Sequence, residues 1–405
     1  VYRKRWYFSS NKNLYETDFS TRKLLGVLSG VQKPVYHAFG GDILIASGGK
    51  LQAITGAGQL ITVESPTCEM VSSHSGRVLL SSIYSHRLNW SAIGDYQSWA
   101  HNGNDASSAQ WLDVGYKDQG SIIAVDFLTR AIIVYKEYGR VYQVVGTPDE
   151  NNLTVYPLSS TGYCSGSTCN IDDRSYYLGE QGFMSFMPTN TYAEIQPFET
   201  GLNINSYLLK YITKDCEMWH VPSRKQLWIK PYNGDSLFIY HYLPRYNDGR
   251  GVFTSRKFTY NINSIVSVDK DVYIAYGNKI GILDESIDTD DGVQIETSII
   301  SGNRLATRQF ILIMNYNFVT HNIINGYGTI GISNKKAKPI NFVSKATKTY
   351  YATMKTINAT NKMNTNEYTK AYKIGGGANR NVQFKIHVQK GAISLRQLDY
   401  TYEEV

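Results

Sequence analysis

The stretch that decides the fold is Ser121–Gly146, "SIIAVDFLTRAIIVYKEYGRVYQVVG". Three apolar runs are separated by two short polar breaks, Leu-Thr-Arg and Glu-Tyr-Gly. Apolar and β-branched residues in runs of this length, bounded by turn residues, predict strands joined by tight hairpins. The same unit recurs along the chain: Trp6–Phe19, Asp42–Glu64, Gly76–Trp99, Asp173–Met187, Lys225–Leu243 and Ser264–Glu285. Long helical periodicity is nearly absent. Copies that begin about 35 to 50 residues apart, each a set of hairpins, predict the blades of a β-propeller. The Gly40-Gly41 and Asn233-Gly234 dipeptides suit turns that need positive φ.

The expected fold class is therefore all-β: a β-propeller over residues 1–286, followed by a C-terminal β-sandwich-like domain over 287–405. Six blades are favoured, with seven as the alternative, because the first and last copies are expected to share one closing sheet. The break falls at the acidic run "ESIDTDDGVQ" (Glu285–Gln294). After it, alternating runs such as "QFILIMNYNF" and a closing hairpin around Lys390-Gly391 read as strands, while Lys335–Lys373 reads as a polar loop with strands in it. The last strands are placed either within this domain or packed back on the propeller.

Composition agrees with a folded, β-rich chain. Of 405 residues, 42% are hydrophobic, 32 are Tyr and only 10 are Pro. Tyr favours half-buried strand faces and interfaces. No apolar run approaches the roughly 20 residues of a membrane-spanning helix. The chain opens on Val1 and not Met, so trimmed N-terminal sequence, a cleaved leader included, is an expectation. The net charge of +7 is unevenly spread: residues 301–405 hold 15 Lys and Arg against 4 acids, whereas the first 300 residues carry −4. Such asymmetry suits an acidic partner or a polyanion, or else a solvated lysine-rich surface.

Catalytic patterns are missing from the sequence. Eight histidines occur, none paired at i+2 or i+4, so no metal site is expected. Neither a G-x-S-x-G elbow nor a Gly-Lys-Ser/Thr phosphate loop is present. "DTDDG" (Asp288–Gly292) resembles the start of a calcium loop, but position 12 of that loop is Ile299. Cys68, Cys164, Cys169 and Cys216 read as free thiols, with a local Cys164–Cys169 disulfide as the alternative. The chain is thus expected to need no cofactor and to be no enzyme; a carbohydrate-binding or carbohydrate-active propeller is the rival reading.

One further stretch stands out: "LNWSAIGDYQSWAHNGNDASS", Leu88–Ser108. Two tryptophans flank a Gly-Asp turn. Trp90 and Trp99 are expected to plug the seam between two blades, with Asp95 capping the turn between them. The segment also resembles the "W/F-S-x-x-G-D-x-x-x-W" stretch of the tail nozzle proteins of short-tailed bacteriophages, of the tail tubular protein B and packaged-DNA stabilisation types. Ser121–Gly146 is similar to that family's "I-I-V-F … I-Y-x-V-x-G" unit. "RNVQFKIHVQKGAISLRQLDYTYE" (Arg380–Glu403) is similar to its closing "R-x-x-x-F-K-L/I-x-V" strand pair. The departure lies at Lys335–Lys373, which lacks the family's "S-D-D-G" hairpin.

The resemblance implies a structural virion protein, assembled in the bacterial cytoplasm as a homohexamer below the portal and adaptor. It implies tail fibre or needle proteins as further partners and double-stranded genomic DNA in the channel. On this reading the acidic first 300 residues line the bore and the basic region faces neighbouring proteins. The sequence marks no DNA-facing residue.

Overall fold

In the computed structural model the chain divides into two compact units, Val1–Leu283 and Asp284–Val405. The structure describes residues 5–295 apart from 82–85, 104, 117, 119, 130, 147–151, 160–166, 190–193, 214, 232–235, 244–249, 259, 285–286 and 288, and beyond 295 the backbone strands alone. The Asn233-Gly234 turn and Cys164, with the disulfide considered for it, lie outside the described residues.

The first unit is a β-propeller of seven antiparallel blades. Blade 1 has three strands: β1 (Trp6–Ser10), β2 (Asn13–Thr17) and β3 (Arg22–Val27). Blade 2 has four: β4 (Val35–Phe39), β5 (Asp42–Ala46), β6 (Lys50–Ile54) and β7 (Leu60–Thr67). Blade 3 comprises β8 (Met70–His74), β9 (Arg77–Ser81), β10 (Arg87–Trp90) and β11 (Gln110–Asp113). Blade 4 comprises β12 (Ile122–Leu128), β13 (Ala131–Lys136), β14 (Val141–Val145) and β15 (Thr154–Ser159). Blade 5 is β16 (Thr168–Ile171), β17 (Arg174–Gly179), β18 (Gly182–Pro188) and β19 (Ile195–Phe198). Blade 6 is β20 (Glu217–Val221), β21 (Gln226–Lys230), β22 (Ser236–His241) and β23 (Val252–Lys257). Blade 7 has three strands again: β24 (Ile262–Val268), β25 (Asp271–Tyr276) and β26 (Lys279–Ile282).

The number of blades corrects the preference for six. Each of the seven recurring sequence units forms its own sheet, and the first and last do not merge. The reason is local: β1–β3 and β24–β26 each complete an antiparallel ladder on their own, and among the described residues no hydrogen-bonded pairing joins them. Hairpins within blades turn where the chain tolerates positive φ. Ser75-Gly76 (φ 49° and 73°) and Asp172-Asp173 (52° and 57°) each place two successive residues there, the requirement of a type I′ turn.

The first strands of successive blades touch one another from β4 through β8, β12, β16 and β20 to β24, so they surround the axis. In blades 2 to 6 the second and third strands are the most buried. Between neighbouring blades lie apolar clusters that fill the wedges. Leu44, Leu51, Val71 and Leu80 join blades 2 and 3. Leu79, Trp90, Ile132 and Val144 join blades 3 and 4. Val221, Trp228, Ile265 and Ile274 join blades 6 and 7.

The last wedge, between blades 7 and 1, is built differently. Trp6 of β1 meets Tyr273 of β25 edge-on with ring centroids 4.3 Å apart, and Phe19 stacks on Tyr273 at 6.0 Å. None of the three is fully buried. A polar latch supplements them: in the connection between β3 and β4, Lys33 Nζ donates to Glu217 Oε2 of β20 at 2.6 Å and to the Asn263 carbonyl of β24 at 2.8 Å.

The second unit holds a small hairpin, β27 (Thr289–Asp290) with β28 (Val293–Gln294). One five-stranded sheet runs β29 (Thr297–Ile300), β36 (Phe384–Lys390), β31 (Asn325–Ile332), β32 (Lys338–Lys345), β33 (Thr349–Thr353). The other is centred on β30 (Arg304–His321), which pairs with β34 (Glu367–Lys373), β35 (Asn379–Val382) and β37 (Ala392–Glu404).

Because Trp228 is 1% exposed in a full wedge, Trp228→Ala is expected to cost about 3–5 kcal/mol. Tyr273→Ala, in the thinner closing wedge, is expected to cost about 1–2 kcal/mol. Chemical denaturation followed by circular dichroism measures both; equal losses would contradict the unequal wedges.

Candidate functional site

Two regions concentrate the polar chemistry of the propeller. The first is the Ser91–Ala109 connection between β10 and β11, which carries the Trp-Gly-Asp-Trp segment. Trp90, at the end of β10, is completely buried in the wedge between blades 3 and 4. Trp99 instead packs against the wedge between blades 2 and 3, and its Nε1 donates to the Tyr96 carbonyl at 2.7 Å. The expectation of a single shared seam is thereby corrected: a reversal after Ser91 carries the chain back over blade 3, so the two rings serve opposite faces of that blade. Asp95 is exposed, and its Oδ1 accepts the Gln97 N–H at 2.8 Å, holding the turn. Tyr96 anchors the loop to blade 2 by donating its hydroxyl to Asp42 Oδ2 at 2.6 Å.

Arg77, the first residue of β9, fixes the rest of the loop. Its side chain is completely buried, and Nη1 donates to the carbonyls of Ser91 (2.7 Å) and Ser108 (2.6 Å). Nη2 donates to the Ala106 carbonyl. A buried guanidinium is costly unless its donors are used, and here they organise carbonyls at both ends of the loop. Blade 4 repeats the device: buried Lys136 donates from Nζ to the carbonyls of Val114 (3.2 Å) and Gly115 (2.8 Å), which holds the connection from blade 3.

The second region lies between blades 4 and 5, where the first strands meet. Asp126 interrupts the apolar run of β12 and is 7% exposed. Its Oδ1 accepts the Phe127 N–H at 2.9 Å. Burial pushes the carboxyl from 3.8 up to about 6, against opposing contributions from Ser175, the Phe127 N–H and Asn170. Tyr135 and Ser175 share a hydrogen bond of 2.6 Å in the same wedge, and Asn170 donates to the Phe127 carbonyl. Phe127 in turn stacks flat on His74 of β8, centroids 4.9 Å apart. His37 of β4 bonds Ser73 Oγ at 2.7 Å. These groups tie first strands to one another.

The arrangement is suited to rigidity. Among the described residues no three His, Cys, Asp or Glu side chains converge on a metal position. Cys68 and Cys216 are buried and free, and burial raises the Cys68 thiol to about 12. The sequence marked Trp90, Asp95 and Trp99 but missed Arg77, Lys136, Asp126 and Lys33. For Asp126 a signal existed, a lone acid inside "IIAVDFL". Arg77 and Lys136 sit at strand ends, where a cation ordinarily reaches water.

No family model matches the chain, and no curated relative matches it. Among solved structures it is similar to the extracellular domain of a one-component system from B. thetaiotaomicron, 11% identical over 95% of this chain and 55% of that one, with a TM-score of 0.51. The chain therefore spans about half of that protein's length. BamB from Moraxella catarrhalis is 10% identical over 67% of this chain and 76% of its own, TM-score 0.41. A 6-phosphogluconolactonase from Bacteroides fragilis is 10% identical over 68% and 88%, TM-score 0.44. At such identities the first of these likenesses speaks for the propeller fold and nothing finer.

The pH dependence of Asp126 follows from its raised value. Folding favours the protonated carboxyl, so its contribution is fully present below pH 3.8 and is lost as pH rises toward about 6. Asp126→Asn is expected to stabilise the propeller above pH 7 by up to ~3 kcal/mol and to flatten this dependence. Denaturation midpoints at pH 5 and pH 8 provide the check. Arg77→Met, which strands three carbonyls, is expected to cost about 2–4 kcal/mol and to open the Ser91–Ala109 loop to limited proteolysis.

Proposed function

We propose that this chain is a structural virion protein, the tail nozzle of a short-tailed bacteriophage. Six copies form a ring below the portal and adaptor, with tail fibre or needle proteins beyond; the ring conducts genomic double-stranded DNA and retains it until ejection. The observation that carries the reading is the setting of the Trp90–Trp99 segment. The residues on which the family resemblance rests are framework: Trp90 is wholly buried, Trp99 has its N–H engaged, and Arg77 clamps the loop. A sugar site would need such rings open for stacking. The charge split supports the same reading, since a wall from the first 300 residues, at −4, repels phosphate and lets DNA run, while a strongly basic wall would grip it. On this reading the protein works without a cofactor and turns over no substrate.

The purified chain, alone and with portal and adaptor, provides the test by native mass spectrometry and negative-stain imaging. A six-fold ring with a central bore, on its own or nucleated by the adaptor, is expected. A chain that stays monomeric with both partners present and binds glycans on an array would overturn the reading in favour of a carbohydrate-binding propeller.

A further inference from the structure

Seven blades around an axis make seven seams, and six of them are filled in the same way. Leu14 of blade 1 lies in one buried apolar cluster with Ile43, Ile45 and Ile54 of blade 2. Comparable clusters join blades 2 and 3, 3 and 4, 4 and 5, 5 and 6, and 6 and 7. Among the described residues no such cluster spans blades 7 and 1. The rings that meet there, Trp6, Phe19 and Tyr273, all keep some exposure, Phe19 as much as 52%. Backbone pairing adds nothing across the seam among the described residues, because the ladders of β1–β3 and β24–β26 are each complete within their own blade. Parting the two blades therefore breaks no strand pairing and uncovers little apolar surface. An interface of that kind opens at far lower cost than the fold as a whole.

Lys33 reaches over this seam. It is rooted in the connection between blades 1 and 2, yet its Nζ pairs with Glu217 of blade 6 and donates to the Asn263 carbonyl of blade 7. The same ammonium lies 5.9 Å from the centre of the Trp219 ring of β20. The Lys33 side chain is 59% exposed and that of Glu217 28%. A pair this open to water is weak, and dissolved salt screens it. We infer that the propeller is a split ring, which opens between blades 7 and 1 and is held shut by Lys33 as a salt-sensitive latch. The two ends part transiently while the six apolar clusters keep the blades together as one arc. In the open form the axis is reached from the side. The inference stands on the propeller alone and goes beyond the conduit reading.

The test is hydroxyl-radical footprinting of the full chain, with Trp90 and Trp228 as buried references in filled wedges. Raising sodium chloride from about 20 mM to about 1 M is expected to increase oxidation of Trp6 and Tyr273 about threefold and to leave both references unchanged. Lys33→Met and Glu217→Gln are each expected to show that increase already at low salt and to lose the salt response. Lys33→Arg keeps the charge and its donors, and is expected to behave as the unaltered chain does. Neither position belongs to an apolar cluster, and circular dichroism confirms that the variants fold. Equal oxidation of Trp6 and Tyr273 in Lys33→Met and in the unaltered chain overturns the proposal. So does a rise at Trp90 and Trp228 in step with them, which would mean that the whole propeller loosens and not one seam.

Discussion

A ring of sheets packed face to face has to bring its last sheet against its first, and every other wedge depends on that contact holding. Among the described residues no strand is shared across the junction. Closure rests on the Trp6, Phe19 and Tyr273 rings and on Lys33, which reaches from the connection after blade 1 to Glu217 and Asn263 on blades 6 and 7. An exposed ion pair is worth little by itself. Its contribution here is geometric: it ties the incoming end of blade 2 to first strands on the far side of the junction. The six filled wedges then transmit that closure through side chains too closely packed to slide.

Within the ring, polar groups are spent on fixing connections. Arg77 and Lys136 both stand at an end of the second strand of a blade, both are buried, and both donate to main-chain carbonyls of a neighbouring connection. Carbonyls left unpaired in such loops would be costly once water is excluded. A buried cation that satisfies two or three at once holds a long loop without any regular secondary structure. Asp126 does the reverse on the axial side: burial raises its carboxyl to about 6, while its neighbour Asn170 joins the first strands of blades 4 and 5 and Ser175 joins the second strands through Tyr135.

Much of this was legible in the residues. Seven hairpin units could be counted directly, since each apolar run and its turn became one blade, from "WYFSSNKNLYETDF" to "SIVSVDKDVYIAYGNKIGILDE". Seven is the alternative count; the preference for six rests on the ends sharing a sheet, which the separate ladders of β1–β3 and β24–β26 do not support. The two tryptophans were read as packing residues, and they are buried or half-buried in wedges, though in two wedges and not one. Nothing in the local pattern separates those outcomes, because the turn at Gly94-Asp95 fixes a reversal but not which blade face the returning ring meets.

By itself the sequence determined the strands, their hairpins and the all-β class, because alternation of period two and turn residues act over a few neighbouring positions. The partners of long-range side chains were decided only in three dimensions. Lys33 finds Glu217, and Tyr96 finds Asp42, across separations at which the pattern of the chain holds no information about approach. Tertiary structure also decided that seven sheets close, among the described residues, without a common strand. That outcome depends on how wedges of given width add up around an axis, a property of the whole ring and of no single segment.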